Sequence, residues 1–347
     1  MQRLLFALFA LLIALPGPGA RAQSAPVLDS GWHEAVLSVR DFAPWRTFFV
    51  DIVGWKEIAR GTAASGVAES FGLPANTPIE EVVIANPNEP RGLVRLMKFG
   101  GAAAQTIIRG AAQPWDTGGI FSLMVRSQDA KALYERVAAL GWTAYNEPVD
   151  FGFGPSQLRN VILRGPDGIN IGVYERLAPR VTEWPQGQVL AAPFNAMQTV
   201  RDVAAAKKFY ADVLGFTLLS GGDYFNDKDE PNNFGLPVNY ATKVARAYGI
   251  FARADKQAGS VELMQFAGFV GRDLAPRAKA PNLGILSLRY AVADAAGYAK
   301  AIAGRGAALD GKVTEIALAP YGTVKRFATH TPDGVRLEFF QPPPARR

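Results

Sequence analysis

The sequence predicts an α+β fold made of four βαβββ modules arranged as two tandem pairs. Three observations predict it: a long internal repeat, strand-like alternation in the matched segments, and a Pro-Asp-Gly turn near the end of each half. AVLSVRDFAPWRTFFVDIVGW, Ala35 to Trp55, matches AMQTVRDVAAAKKFYADVLGF, Ala196 to Phe216, at a constant offset of 161. Each copy opens with a strand and then places Asp41 or Asp202 at a helix N-cap, where a short carboxylate accepts the amide hydrogens of the first turn. Trp45, Phe48, Phe49 and Ile52 follow at helical spacing in one copy, Phe209 and Val213 in the other. Gly54 and Gly215 then stand where a left-handed residue ends a helix.

The remaining matches keep this order. FGLP recurs at Phe71 and Phe234, and GLVRLMKF from Gly92 parallels GSVELMQF from Gly259, both alternating as half-buried strands do. PDGINIGV from Pro166 parallels PDGVRLEF from Pro332, with Asp-Gly turning into a last strand. Inside each half a weaker second opening follows. Ile120 to Val125 leads into a helix carrying Leu133, Val137 and Leu140 and stopping at Gly141; Ile285 to Tyr290 leads into a helix from Asp294 to Gly304 or Gly306. The predicted domains are therefore 31–175 and 194–341. They are joined by a linker, 176–193, that carries Pro179, Pro185 and Pro193, and are followed by a tail, 342–347.

The chain opens MQRLLFALFALLIALPGPGARAQ, with Arg3, an apolar run from Leu4 to Leu15, and Ala20-Arg21-Ala22. That pattern predicts a cleaved secretory leader, 1–22, hence a periplasmic or secreted protein with no stable membrane insertion once the leader is gone. About 325 residues remain, which suits two domains better than one. Without cysteine there are no disulfides, thiolate nucleophiles or thiolate metal ligands. Net charge is +6, or +4 once Arg3 and Arg21 are removed, and its scatter predicts no nucleic-acid partner.

These motifs resemble the vicinal oxygen chelate (glyoxalase/bleomycin resistance/extradiol dioxygenase) superfamily. The opening is similar at Val200-Arg201-Asp202, Phe209-Tyr210 and Leu214-Gly215-Phe216, and the closing at Pro332-Asp333-Gly334 through Glu338. The resemblance implies curved sheets enclosing clefts, with metal ligands on the first and fourth strands of paired modules. Carried over, those positions are Asn195, Glu262, Ile285 and Glu338 in the second domain, and Glu34, Arg95, Ile120 and Gly172 in the first. The first set leaves Glu262, Glu338 and Asn195 as ligands for one divalent metal. The second pairs Glu34 with Arg95, a cation that cannot ligate another. Strand alternation adds Met264, Arg289, Arg336 and Phe340 to the second cleft.

Two adjacent carboxylates need a metal between them, neutralising arginines, or a shared proton that makes one an acid or base. The expectations are accordingly a glyoxalase-like lyase or isomerase, or a non-catalytic module that binds a small molecule. In the first, Glu262 or Glu338 moves a proton beside a carbonyl while Arg289 or a metal holds the developing charge. Asn195 and Ile285 stand where an extradiol dioxygenase would carry histidines, which argues against that chemistry. His33 reads as a strand-flanking core residue and His330 as a turn residue. The longer Leu219–Tyr240 stretch is a solvated insertion or an aromatic lid bringing Tyr240 to substrate.

Overall fold

The computed structural model describes residues 26–101, 105–185, 187–253 and 258–344. The leader predicted at 1–22 lies outside them. The first module contains β1 (Glu34–Ser38), α1 (Ala43–Arg46), β2 (Lys56–Thr62), α2 (Val67–Ser70), β3 (Ile79–Ala85) and β4 (Leu93–Phe99). The second has β5 (Ser122–Ser127), α3 (Ala130–Ala138), β6 (Thr143–Ala144), β7 (Val149–Phe153), β8 (Ser156–Arg164) and β9 (Asn170–Ala178). The third has β10 (Asn195–Thr199), α4 (Val203–Lys208), β11 (Thr217–Tyr224), β12 (Arg246–Ala252) and β13 (Ser260–Phe266). The fourth has β14 (Gly284–Ala291), α5 (Ala295–Gly304), β15 (Thr314–Leu318), β16 (Gly322–His330) and β17 (Arg336–Gln341).

The local signals act as their chemistry requires. Asp202 accepts the amide hydrogens of Ala204 and Ala205, Asp129 that of Ala132 and Asp294 that of Gly297; Asp41 accepts that of Ala43, but the N-cap of α1 is Phe42, one residue later than expected, and carries no side-chain cap bond. Gly54 and Gly215 adopt φ of 80° and 74°, the left-handed geometry in which a Cβ is penalised. Helix α1 widens into a π-turn over Thr47–Ile52, and α4 does the same over Phe209–Val213, so the repeat extends to this irregularity.

Two curled sheets result, and their composition corrects the expectation that neighbouring modules share a cleft. One sheet runs β15-β16-β17-β14-β1-β4-β3-β2, joining the fourth module to the first; the other runs β11-β12-β13-β10-β5-β9-β8-β6, with β7 on β8, joining the third to the second. Each module keeps a parallel pair of its first and last strands, and the modules meet through antiparallel β1·β14 and β10·β5. Helix-side packing follows the chain instead. Phe48 of the first module stacks on Trp142 of the second and Trp45 meets it edge-to-face, and Phe216 of the third meets Tyr290 of the fourth. The helical faces of both sheets thus share one core, while each opposite face lines a cleft with its own apolar cluster. The halves are tandem in sequence and interleaved in their sheets.

Candidate functional site

The cleft between the first and fourth modules is closed by charge. Arg95 donates to both oxygens of Glu34 at 2.7 and 3.0 Å, as expected from the sequence, and its Nη1 lies 2.8 Å from Glu81. Arg289 bridges Glu34 at 2.6 Å and Glu338 at 3.2 Å, Ser287 donates to Glu338 at 2.8 Å, and Tyr321 donates to Glu34 at 3.1 Å. Arg336 contacts Glu338, Asp310 and the Ser70 carbonyl, and Phe340 packs against Tyr321. Burial alone would raise the Glu34 and Glu338 carboxyls, but the arginines outweigh it and hold both well below the usual carboxylate range.

The cleft between the second and third modules is open, with a cavity of about 620 Å³. Its floor is set by pairing: Asn195 on β10 stands opposite Met124 on β5, and Met197, two residues along, pairs with Glu262 on β13. The Asn195 amide Nδ2 lies 3.2 Å from Glu262 Oε2 and 3.3 Å from Met124 Sδ. Met264 and Ile250 flank Glu262, Tyr174 rises from β9, and Phe151, Phe153, Phe194 and Tyr248 supply aromatic wall. Among the described residues no cation pairs with Glu262, and burial drives its carboxyl from 4.5 up to about 7, the Asn195 hydrogen bond pulling only partly back. Burial, and then the Glu262 charge, push the Tyr174 hydroxyl up, so it remains a donor.

The structure therefore divides the predicted site. Glu262, Asn195 and Met264 line the open cavity. Glu338, Arg289, Arg336 and Phe340 belong to the other sheet, so neither a Glu262–Glu338 pair nor a shared metal set of Glu262, Glu338 and Asn195 exists, and Arg289 cannot serve Glu262. Ile285 and Ile120 face the helical core rather than a cleft. Arg289 stands opposite Glu34, and a register shift between Val36 and Leu37 breaks the alternation along β14, so Ile285 turns to the helical core while Ser287 and Arg289 keep the cleft face. Tyr240 is exposed and meets Phe269 edge-to-face outside the cavity lining. The insertion nevertheless contributes wall through Tyr224, Asn233 and Phe234, and the linker contributes Arg180, Val181 and Trp184 at the mouth. Sequence reasoning missed Met124, Tyr174 and Arg126; alternation on β5 and β9 reveals them once these strands are assigned to the same cleft as Glu262.

A divalent metal of the kind the fold family implies does not fit either donor set. The closed cleft presents the carboxylates of Glu34, Glu81 and Glu338, already neutralised by Arg95 and Arg289. The floor of the open one offers the Glu262 carboxylate, the Asn195 amide and the Met124 thioether, with Gly172 on β9 paired to Met124 and supplying no side chain; Glu175, which also lines the cavity, accepts from the Ala130 amide and lies beside Arg159. Among the described residues no three His, Cys, Asp or Glu side chains converge on a metal position.

Paired βαβββ modules curling about a cleft define a class of small-molecule enzymes and binding proteins. The sequence profile of the Glyoxalase/Bleomycin resistance protein/Dioxygenase superfamily matches residues 31–173 and 194–339, and the chain belongs to that superfamily. Glyoxalase I from Zea mays is similar in fold at 17% identity, with TM-score 0.58 over 90% of this chain and 92% of that one. A candidate dioxygenase from Bacillus subtilis is similar at 10% identity, with TM-score 0.54 over 90% and 86%. No protein with a curated description matches the chain.

Proposed function

We propose that the open cleft binds a small molecule with an apolar body and an enolisable carbonyl, and that Glu262 transfers a proton beside that carbonyl. The observation that carries the reading is the Glu262 carboxyl, which burial at the apolar floor of the cavity raises to about 7. Asn195 orients it through Oε2. The substrate C–H proton passes to the Glu262 carboxylate as its electron pair moves onto the carbonyl oxygen, and the Tyr174 hydroxyl donates to that oxygen. Return of the proton to a different carbon completes an isomerisation; departure of a β-substituent completes an elimination. The same leader that predicts cleavage after Ala22 supports action in the periplasm or outside the cell, checked by N-terminal sequencing of the exported protein.

The test is deuterium exchange in D₂O across a panel of enolisable ketones and hydroxyketones, followed by proton NMR. Glu262→Gln keeps the shape and the Asn195 contact but cannot take the proton, and exchange is expected to fall by about 10²-fold or more. Exchange that survives this substitution overturns the proposal. The aromatic lining also supports a second reading, a binding protein that sequesters its ligand; a ligand held equally well by both forms, with no exchange in either, decides for it.

A further inference from the structure

Resting on that reading, we infer that the open cleft moves protons on one face only: Glu262 Oε1 is the single base, held in place by Asn195, so the site exchanges one hydrogen of a prochiral methylene and inverts no centre. Three contacts hold it. The Ala196 amide donates to Asn195 Oδ1 at 2.9 Å, which leaves Nδ2 as the end that reaches Glu262 Oε2 at 3.2 Å and Met124 Sδ at 3.3 Å. Asn195 is buried, and turning its amide over would set Oδ1 against Glu262 Oε2 and Nδ2 against the Ala196 N–H. Oε2 is therefore committed as an acceptor. Oε1, on a side chain that lines the cavity, receives no hydrogen bond among the described residues.

The rest of the lining offers no base for the opposite face. Among its described residues there is no histidine, aspartate or lysine, and the other carboxylate is Glu175. Glu262 pairs with Met197 and Met197 with Ser122 on β5, whereas Glu175 pairs with Ser127, about 16 Å farther along that strand. Glu175 also accepts from the Ala130 amide at 3.1 Å and lies 3.5 Å from Arg159. The adjacent Arg126 and Arg176 share that displacement, and Arg180 lies in the linker. Burial raises the Tyr174 and Tyr224 hydroxyls, so both keep their protons. Tyr174 leans along β9 past Gly172, its ring edge 3.7 Å from where a Cβ on that glycine would stand, and so brings a donor toward Glu262. Oε1 takes the proton from the carbon beside the carbonyl, the C–H pair becomes the carbon–carbon π bond, and the carbonyl π pair goes onto the oxygen that Tyr174 holds. Reversal returns a proton from Oε1 to the face it left. Inversion needs a donor on the far face, which the described lining lacks.

A ketone from the exchange panel with a methylene beside its carbonyl tests this in D₂O. The wild-type protein is expected to replace one methylene hydrogen, seen as CHD by proton NMR, while the second follows about 10²-fold more slowly, at the rate found with Glu262→Gln. Replacement of both hydrogens at similar rates overturns the inference and leaves Glu262 as the base. Exchange no faster in the wild type than in Glu262→Gln removes the parent reading, and this inference with it. Asn195→Leu tests the hold on the carboxyl. The Asn195 hydrogen bond lowers the Glu262 carboxyl against burial, so without it the acid limb of the exchange rate is expected to move to higher pH. A packing role alone would lower the rate with the limb in place, and that result overturns the assignment of Asn195. Thermal melting checks that the variants are folded, with Asn195→Ala as the smaller replacement.

Discussion

Glu262 and Glu338 occupy corresponding places on the last strands of successive modules, and their neighbours drive them in opposite directions. At Glu338 burial is outweighed by Arg289, Arg326 and Arg336, so the carboxyl stays charged. Its folded pKa is depressed, so its stabilisation is present at neutral pH and is lost as pH falls below the ordinary carboxylate range of about 4.3. Glu338→Gln leaves buried guanidiniums uncompensated and is expected to cost about 3–5 kcal/mol in urea unfolding at pH 7. Glu262 behaves in reverse. Its folded pKa, about 7, lies above 4.5, so the unfolded chain releases the proton first and stability falls as pH rises between those values. Solvent screening through the open mouth of the cavity reduces the penalty to something on the order of 2 kcal/mol. Glu262→Gln should therefore raise the melting temperature at pH 8 and change it little at pH 5.

Elements carry the next distinctions. Asp202, Asp294, Gly54 and Gly215 announce helix ends in the sequence because capping and left-handed geometry are local, and those signals hold in the fold. Face assignment on β14 was less legible. The bulge opposite Val36 and Leu37 breaks the two-residue alternation, sending Ile285 to the helical core while Ser287 and Arg289 reach Glu338 and Glu34. The insertion divides as well: Tyr224 lines the open cavity under the Arg246 guanidinium, 4.5 Å from its ring, whereas Tyr240 faces away. Tyr224→Ala is expected to weaken N-phenyl-1-naphthylamine binding by roughly tenfold through lost apolar contact, and Tyr240→Ala to leave it unchanged, in fluorescence titrations.

At the level of the whole molecule, the repeat was plain in the sequence and the exchange of sheet partners was not. β1 and β10 carry the same pattern, and β5 and β14 present the same kind of edge, so alternation tells which face is buried without telling which module covers it. Only the three-dimensional pairing separates Glu262 from Glu338. Residues 31–175 and 194–341 expressed separately are each expected to lack a completed sheet and to aggregate, while co-expression restores a soluble, cooperatively melting complex. Circular dichroism and size-exclusion chromatography read the outcome; either half melting cooperatively as a monomer would show that the exchange is dispensable.

That exchange also sets a timetable for synthesis. β1 emerges early yet must wait for β14, some 250 residues later, while β5 and β10 come together first. The inner sheet, which holds the open cavity, can close on the ribosome while the outer one still presents a bare antiparallel edge. Holding that edge apart from other chains until the last module arrives is a burden that a protein with sequentially paired modules would not carry.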